Sequence, residues 1–420
     1  MRTRYLFFYG LGVLALFPFQ GRGQTSNAGI LSIAPETAVW NVAEFLNLKE
    51  GAVYNDGTIH YQSDFNNEGF YGFSPQLQSS YAVFQQSAAQ PVNQQLSGSA
   101  AARFYDVLFQ NEGSKNAIDL RNDMSIGGTA NFLQGVVQID PLKGALVFES
   151  DSRAINASNK SFVAGEVEKI GRNNFVFPIG DQGVYRQAQI SAPPGDKDSF
   201  SAQYHLENSD KKYPHRNKTG AIQRINDREY WTVTQNNTPG EVVLTLSWNA
   251  QTTPADLLEE AGLNWRILRW DTAQALWVDE GGIVDAAAQT VSTPTLVTAY
   301  GVFTLGLLKP DVLLEGDVVI YNAVSPDGDG INDYFQIDNI RRFPNNSVQV
   351  FNRWGVKVYE TTAYDSSGNV FRGRSEGRVN VDKHEKLPTG TYYYIVNYEV
   401  VAAAGSQTIK KAGYLHLENN

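Results

Sequence analysis

The sequence predicts an all-β protein, on three observations. Short runs alternate apolar and polar residues along most of the chain, as in Val242, Leu244, Leu246 and Trp248 set against Val243, Thr245 and Ser247. Turn signals interrupt these runs at Asn55-Asp56-Gly57, Asn67-Glu68-Gly69 and Asn111-Glu112-Gly113. Helical periodicity is confined to one short candidate, Pro254 to Ala261, which reads as a single connecting turn.

At 420 residues the chain has room for several domains with cores of ordinary size. It has no cysteine, which excludes disulfides, thiolate metal sites and a cysteine nucleophile. Residues 1–23 read as a secretory signal peptide: Arg2 and Arg4 lead an apolar run from Tyr5 to Phe19, and Gly21 and Gly23 precede a cleavage point near Gln24. No other run is apolar and long enough to cross a membrane as a helix. The net charge is −10, and removing Arg2, Arg4 and Arg22 with the leader makes it more negative. Nucleic acid and anionic lipid are therefore poor partners, because both reward clustered Lys and Arg. Divalent cations suit the balance better.

Residues 24–171 consist of strand-turn units such as ILSIA, GAVYNDGTIHYQSDF, FYDVLFQNEG and GALVFES with no helix between them. Repeated units of this kind predict a β-solenoid in which each turn of chain covers the core of the next. Their spacing is uneven, so an irregular β domain or sandwich is the alternative. The Gln- and Ser-rich interval Ser74 to Ser99 reads as a long surface excursion. Residues 172–308 have longer strands, including LNWRILRW and AYGVFTLGL, and predict a β-sandwich. A linker is expected at 309–316, before a last unit at 317–420.

That last unit opens with the loop NAVSPDGDGINDYF, in which Asp327, Asp329 and Asp333 crowd around Gly328 and Gly330. Crowded carboxylates repel unless a cation or backbone amides neutralise them. The pattern matches the first half of an EF-hand-like loop, so Asp327, Asp329 and Asp333 are candidate calcium ligands, joined by a carbonyl near Ile331, with Asp338 near the distal position. The competing reading is an ordinary turn held by Asx hydrogen bonds. Val348 and Val350, then Val356 and Val358, flank Asn352-Arg353-Trp354-Gly355 as a hairpin, followed by strands in LPTGTYYYIV and KKAGYLHL.

As a set, SPDGDGIND, FNRWG with a following VYE, LPTGTYYY and the terminal GY strand resemble the gliding-motility-associated C-terminal domain, the type B sorting domain of the type IX secretion system in Bacteroidetes. The resemblance spans Gly316 to Asn420. Phe371-Arg372-Gly373 departs from it, since the family usually has a tryptophan and glycine there. SFVAGEVEKIG and FVFPIGDQGVYR look like regions often found ahead of such domains. The resemblance implies an immunoglobulin-like β-sandwich that acts as a folded address tag, with the secretion machinery of the outer membrane as partner. The expected destination is secreted or on the cell surface, reached through the periplasm.

Chemistry elsewhere is sparse. The histidines His60, His205, His215, His384 and His416 are scattered without an H-E-x-x-H pair, and neither a G-x-S-x-G elbow nor a phosphate-cradling loop occurs. His205 and His215 read as solvated loop residues. Five of the seven tryptophans, Trp231, Trp248, Trp265, Trp270 and Trp277, read either as sandwich core or as a platform for sugar rings. Alternation sends Trp265 and Trp270 to opposite faces of their strand. Arg341-Arg342 and Lys410-Lys411 are either solvated pairs or part of the surface the machinery reads. The expected function is a non-enzymatic passenger, adhesin-like or structural, carried by a sorting domain, with an extracellular glycan or surface as its possible ligand. The alternative is a surface-displayed carbohydrate-binding or polysaccharide-degrading protein.

Overall fold

The computed structural model describes residues 23–86, 93–113, 117–237, 240–259, 265–308, 318–330, 332–375, 386–402 and 405–419. The expected signal peptide, apart from Gly23, and the expected linker at 309–316 lie outside them. The fold is nearly all β. Among the described residues no helix is long and apolar enough to cross a membrane.

The N-terminal region is a parallel β-solenoid of about six turns with three faces. Its first face stacks Gln24–Asn27, Glu44–Asn47, Phe65–Asn67, Gln94–Ser97, Ile118–Leu120, Val137–Ile139 and Val163–Ala164. The second stacks Ile30–Ile33, Ala52–Asn55, Phe70–Gly72, Ala102–Phe104, Met124–Ile126, Leu146–Phe148 and Val167–Ile170. The third runs from Ala38–Asn41 through Thr58–Tyr61, Tyr81–Gln86, Asp106–Asn111 and Thr129–Gln134 to Arg153–Ile155. Successive side chains on a strand point to opposite faces, so alternate residues fill the interior. Tyr61, Phe84, Phe109 and Phe132 make one such aromatic stack, with neighbouring ring centroids 5.0–6.0 Å apart.

Asparagines hold one corner of the coil. Asn27 Nδ2 donates to Asn47 Oδ1 at 2.8 Å, Asn47 Nδ2 to Asn67 Oδ1 at 2.7 Å, and Asn67 Nδ2 to the Ala100 carbonyl at 2.9 Å. Asn47 and Asn67 are fully buried, so the ladder satisfies polar groups that water cannot reach. Gly98 sits at φ +120° on the same corner, where a Cβ would meet the Asn67 carbonyl at 2.0 Å. The uneven spacing has a local cause. Asn27, Asn47 and Asn67 recur every 20 residues, but Leu96 rather than a nearer residue pairs with Phe65, because the third turn carries additional chain after Phe73. The expected excursion from Ser74 to Ser99 is therefore corrected in part, since Tyr81–Gln86 and Gln94–Ser97 within it are solenoid strands.

The second face continues past the solenoid. Val167–Ile170 pairs antiparallel with Ser199–His205, and the sheet runs on through Tyr230–Gln235, Gly301–Leu308, Trp265–Asp271 and Leu276–Asp279. Facing it is a five-stranded sheet of Phe175–Phe177, Ala188–Ile190, Leu244–Ser247, Thr290–Ser292 and Ile283–Asp285, which completes a β-sandwich. One hydrophobic core extends from Ile33 to Leu307 through both regions. The antiparallel continuation covers a strand edge that a solenoid would otherwise leave open. The helix candidate is observed as Ala255–Glu259, and its last two expected residues lie outside the described residues.

Residues 318–419 have a separate core. A five-stranded sheet orders Ala323–Val324, Gly405–Leu417, Gly390–Ala402, Asn346–Phe351 and Lys357–Thr362, and the ribbon of Val319–Ile320 with Ile337–Asp338 belongs to the same packed unit. The expected hairpin is present. At its turn the Asn352 side chain accepts from the amides of Trp354 and Val356, both at 3.0 Å, and Gly355 takes φ +76°. The two last strands form one long hairpin that extends beyond the expected runs. Phe371, where the sequence departs from the resemblance, is completely buried.

Candidate functional site

The acidic loop leaves the short strand Ala323–Val324 and returns to the ribbon, and positive φ at Gly328, Gly330 and Asn332 folds it tightly. Asp327, Asp329 and Asp333 each present a carboxylate oxygen within 4.8 Å of the others. Internal hydrogen bonds hold them there. Asp333 accepts from the Gly328 amide at 2.7 Å and the Gly330 amide at 2.9 Å, while Asp327 accepts from the Asp329 amide at 3.1 Å and the Ser325 hydroxyl at 3.4 Å. Asx-type bonding and carboxylate convergence therefore coexist in the same loop. Each bonded oxygen keeps a second lone pair, so three hard donors fit a calcium-class ion, with the remaining three or more ligands left to main chain or water.

Asp338 stands apart from this cluster. It lies on the strand Ile337–Asp338, where its carboxylate accepts from Tyr321 at 3.0 Å and Gln336 at 2.9 Å. Ile331, near the expected carbonyl ligand, lies outside the described residues. Beside the loop, Gly328 and Asp333 share a cleft of about 260 Å³ with Arg372, Arg374 and Lys386. Asp333 thus shares its cleft with three basic residues.

The other sequence candidates are dispersed. Trp231, Trp265 and Trp277 are fully buried, Trp270 is 8% exposed and Trp248 is half-buried, so these rings do not make an exposed platform. Trp265 packs in the large core and Trp270 in a small one on the other side of the same sheet, with Trp277 and Tyr230, as alternation requires. His205 and His215 are corrected from solvated to half-buried: His205 stacks on Tyr230 and sits 3.2 Å from Thr232 Oγ1, and His215 sits 2.8 Å from Ser209 Oγ. Burial lowers both imidazole pKa values. Arg341 pairs with Asp365 at 2.9 Å, and Lys411 donates to the Val318 carbonyl at 3.2 Å. Trp354, at the hairpin tip, is 71% exposed with the Arg353 guanidinium 4.2 Å from its ring centre.

The separate core, the loop and the hairpin all fall in one stretch of sequence, and a family comparison decides what that stretch is. Residues 318–417 match the CHU_C type IX secretion signal domain. This signal domain supports export by the type IX secretion system, and so a secreted or cell-surface location and interaction with the secretion machinery. No curated protein and no solved structure matches the chain.

One concave site was missed by sequence reasoning. On the second face of the solenoid, Tyr54, Phe70, Phe73, Pro75 and Arg103 enclose a cleft of about 300 Å³. Its signal in the sequence was weak, because which aromatics point outward depends on the strand register.

Proposed function

We propose that this chain is cargo of the type IX secretion system whose passenger, Gln24 to Leu308, acts outside the cell by contact, as an adhesin-like or structural surface component. Residues 1–23 serve as a cleaved signal peptide for the step into the periplasm, and the C-terminal domain directs the step across the outer membrane. The observation that carries this reading is the signal domain folded around its own core, attached to a passenger whose core ends at Leu307. The solenoid and sandwich support a contact role because one continuous core makes them an extended body with large side faces.

The test compares the full chain with one ending at Leu308 in the native cell, by protease shaving and fractionation. The full chain is expected at the surface or in the medium and the shortened one in the periplasm; equal export of both removes the sorting role. Substratum attachment without turnover supports the contact reading, whereas defined turnover of a polysaccharide favours the degrading alternative.

The acidic loop is assigned calcium in this reading. Calcium sites in extracellular modules bind at roughly 10⁻⁴–10⁻³ M. At 10 mM calcium, binding to the folded state alone then stabilises by about 1–3 kcal/mol. Calorimetry is expected to show a saturable heat and a rise in melting temperature, both lost in Asp329→Asn. Neither effect at millimolar calcium would leave the loop to its internal hydrogen bonds.

A further inference from the structure

The solenoid cleft has a definite origin in the register. On the second face, Tyr54 lies opposite Gly72, and Tyr71 lies opposite Ala102, which brings Arg103 next to Gly72 on the other side. One outward column therefore reads Tyr54, Gly72, Arg103, Ser125, and at Gly72 it has no side chain. The Phe70 ring lies over Gly72, where an added Cβ would stand 2.9 Å from its Cζ, and the cleft is lined by that ring, Gly72 and Arg103. Phe70 and Tyr54 wall one side, with ring centroids 5.0 Å apart and exposures of 51% and 40%. Arg103 closes the other side, its guanidinium 4.6 Å from the centre of the buried Phe73 ring.

The polar edge of the cleft is prearranged. Arg103 Nε and Nη2 donate to the two oxygens of Glu149, each at 2.7 Å, and Ser125 Oγ donates to Glu149 Oε1 at 3.0 Å. Two of the five guanidinium N–H donors are used, and the carboxylate retains accepting capacity. The pair offers donors and an acceptor side by side while its charges cancel.

We infer that this cleft binds a neutral pyranose unit of a glycan, its apolar ring face against Phe70 and Tyr54 and its hydroxyls on the Arg103–Glu149 pair. Hydroxyls both donate and accept, which matches the mixed edge; a proline-rich peptide offers mainly carbonyl acceptors and would leave Glu149 unused. An acidic sugar gains little from an arginine already neutralised by Glu149. The volume, at the low end for ligand sites, suits one or two rings. This inference rests on the contact reading of the passenger and names the ligand class for it.

The test uses the purified chain on a glycan array, followed by calorimetry with neutral oligosaccharides of glucose, xylose, mannose, galactose and N-acetylglucosamine. At least one is expected to bind, with affinity falling about tenfold or more in Phe70→Ala and Tyr54→Ala, as for an aromatic anchor. Phe70→Trp should keep binding, and Gly72→Val, whose Cβ would stand 2.9 Å from Phe70 Cζ and displace that ring, should abolish it. No binding at millimolar sugar, or binding unchanged in Phe70→Ala, overturns the inference, as does preferential capture of a polyproline decamer at the same residues. Cell attachment separates the two readings. Attachment lost in Phe70→Ala without any sugar bound keeps the contact role and removes the glycan, whereas sugar binding with attachment unchanged does the reverse.

Discussion

Glu229→Gln is expected to cost the passenger about 3–5 kcal/mol, because it leaves a buried arginine without its counter-charge. Arg186 and Glu229 are 1% and 0% exposed, and the pair is bidentate, with Nε to Oε2 at 3.0 Å and Nη2 to Oε1 at 2.8 Å. Tyr204 donates to Oε2 at 2.7 Å, and Thr253 and Asn226 donate to Oε1 at 2.7 and 3.1 Å. Every neighbour of this carboxylate is a donor. A glutamine brings an NH₂ among them and removes the charge that Arg186 needs. Arg186→Met should cost a similar amount, and the double variant Arg186→Met with Glu229→Leu less than the two together, since no charge is then buried alone. Chemical denaturation of the four proteins measures the coupling. Simple additivity would show that the pair does not act as a unit.

The same pair sets a pH dependence. Burial works to raise the pKa of Glu229, but the charge and hydrogen bonds of Arg186, together with the hydrogen bonds of neighbouring hydroxyls such as Tyr204, outweigh it and hold the carboxyl below its ordinary value. The folded carboxyl thus titrates below the unfolded one. Its contribution is complete above the unfolded value of about 4.3 and is lost as pH falls through the folded value. Melting temperature should therefore fall on acidification below about pH 4 more steeply in the wild type than in Glu229→Gln.

How much of this was legible depended on how local each feature is. The acidic loop could be read because its three carboxylates lie within one turn of chain, whereas Asp338 was misplaced because its own strand directs it to Tyr321 and Gln336. The solenoid showed in its strand-turn units, but the additional chain in the third turn hid the period that Asn27, Asn47 and Asn67 keep. For the tryptophans, alternation separated Trp265 from Trp270, yet composition alone could not tell core from platform; the second small core that buries Trp270 depends on the distant Tyr213 and Ile222. Arg186 and Glu229 are 43 residues apart, and nothing near either one marks it as half of a pair. Tyr54, Phe70 and Arg103 belong to three successive turns, so their meeting follows from pairing register and not from spacing.

Phe371→Ala is expected to destabilise the secretion signal domain by about 3–5 kcal/mol and to reduce export with it. The ring is completely buried, 5.2 Å from that of Tyr359, and its backbone joins two parts of the domain: its carbonyl accepts from the Phe335 amide at 2.8 Å, and its amide donates to Tyr364 Oη at 3.1 Å. Tyr364 Oη in turn donates to the Phe335 carbonyl. Truncation of the ring would open a cavity beside this closed set of bonds. A domain of this size is typically stable by about 5–15 kcal/mol, so the loss is a large share of the total. The cores are separate, so calorimetry of the full chain should show two transitions, with only the signal-domain one lowered, by about 4–8 °C for each kcal/mol lost. Phe371→Leu, which keeps most of the volume, should cost less than about 1.5 kcal/mol and retain export. If surface delivery is unchanged in a variant whose signal-domain transition lies below the growth temperature, the machinery reads an unfolded or local signal, and the requirement for a folded tag is wrong.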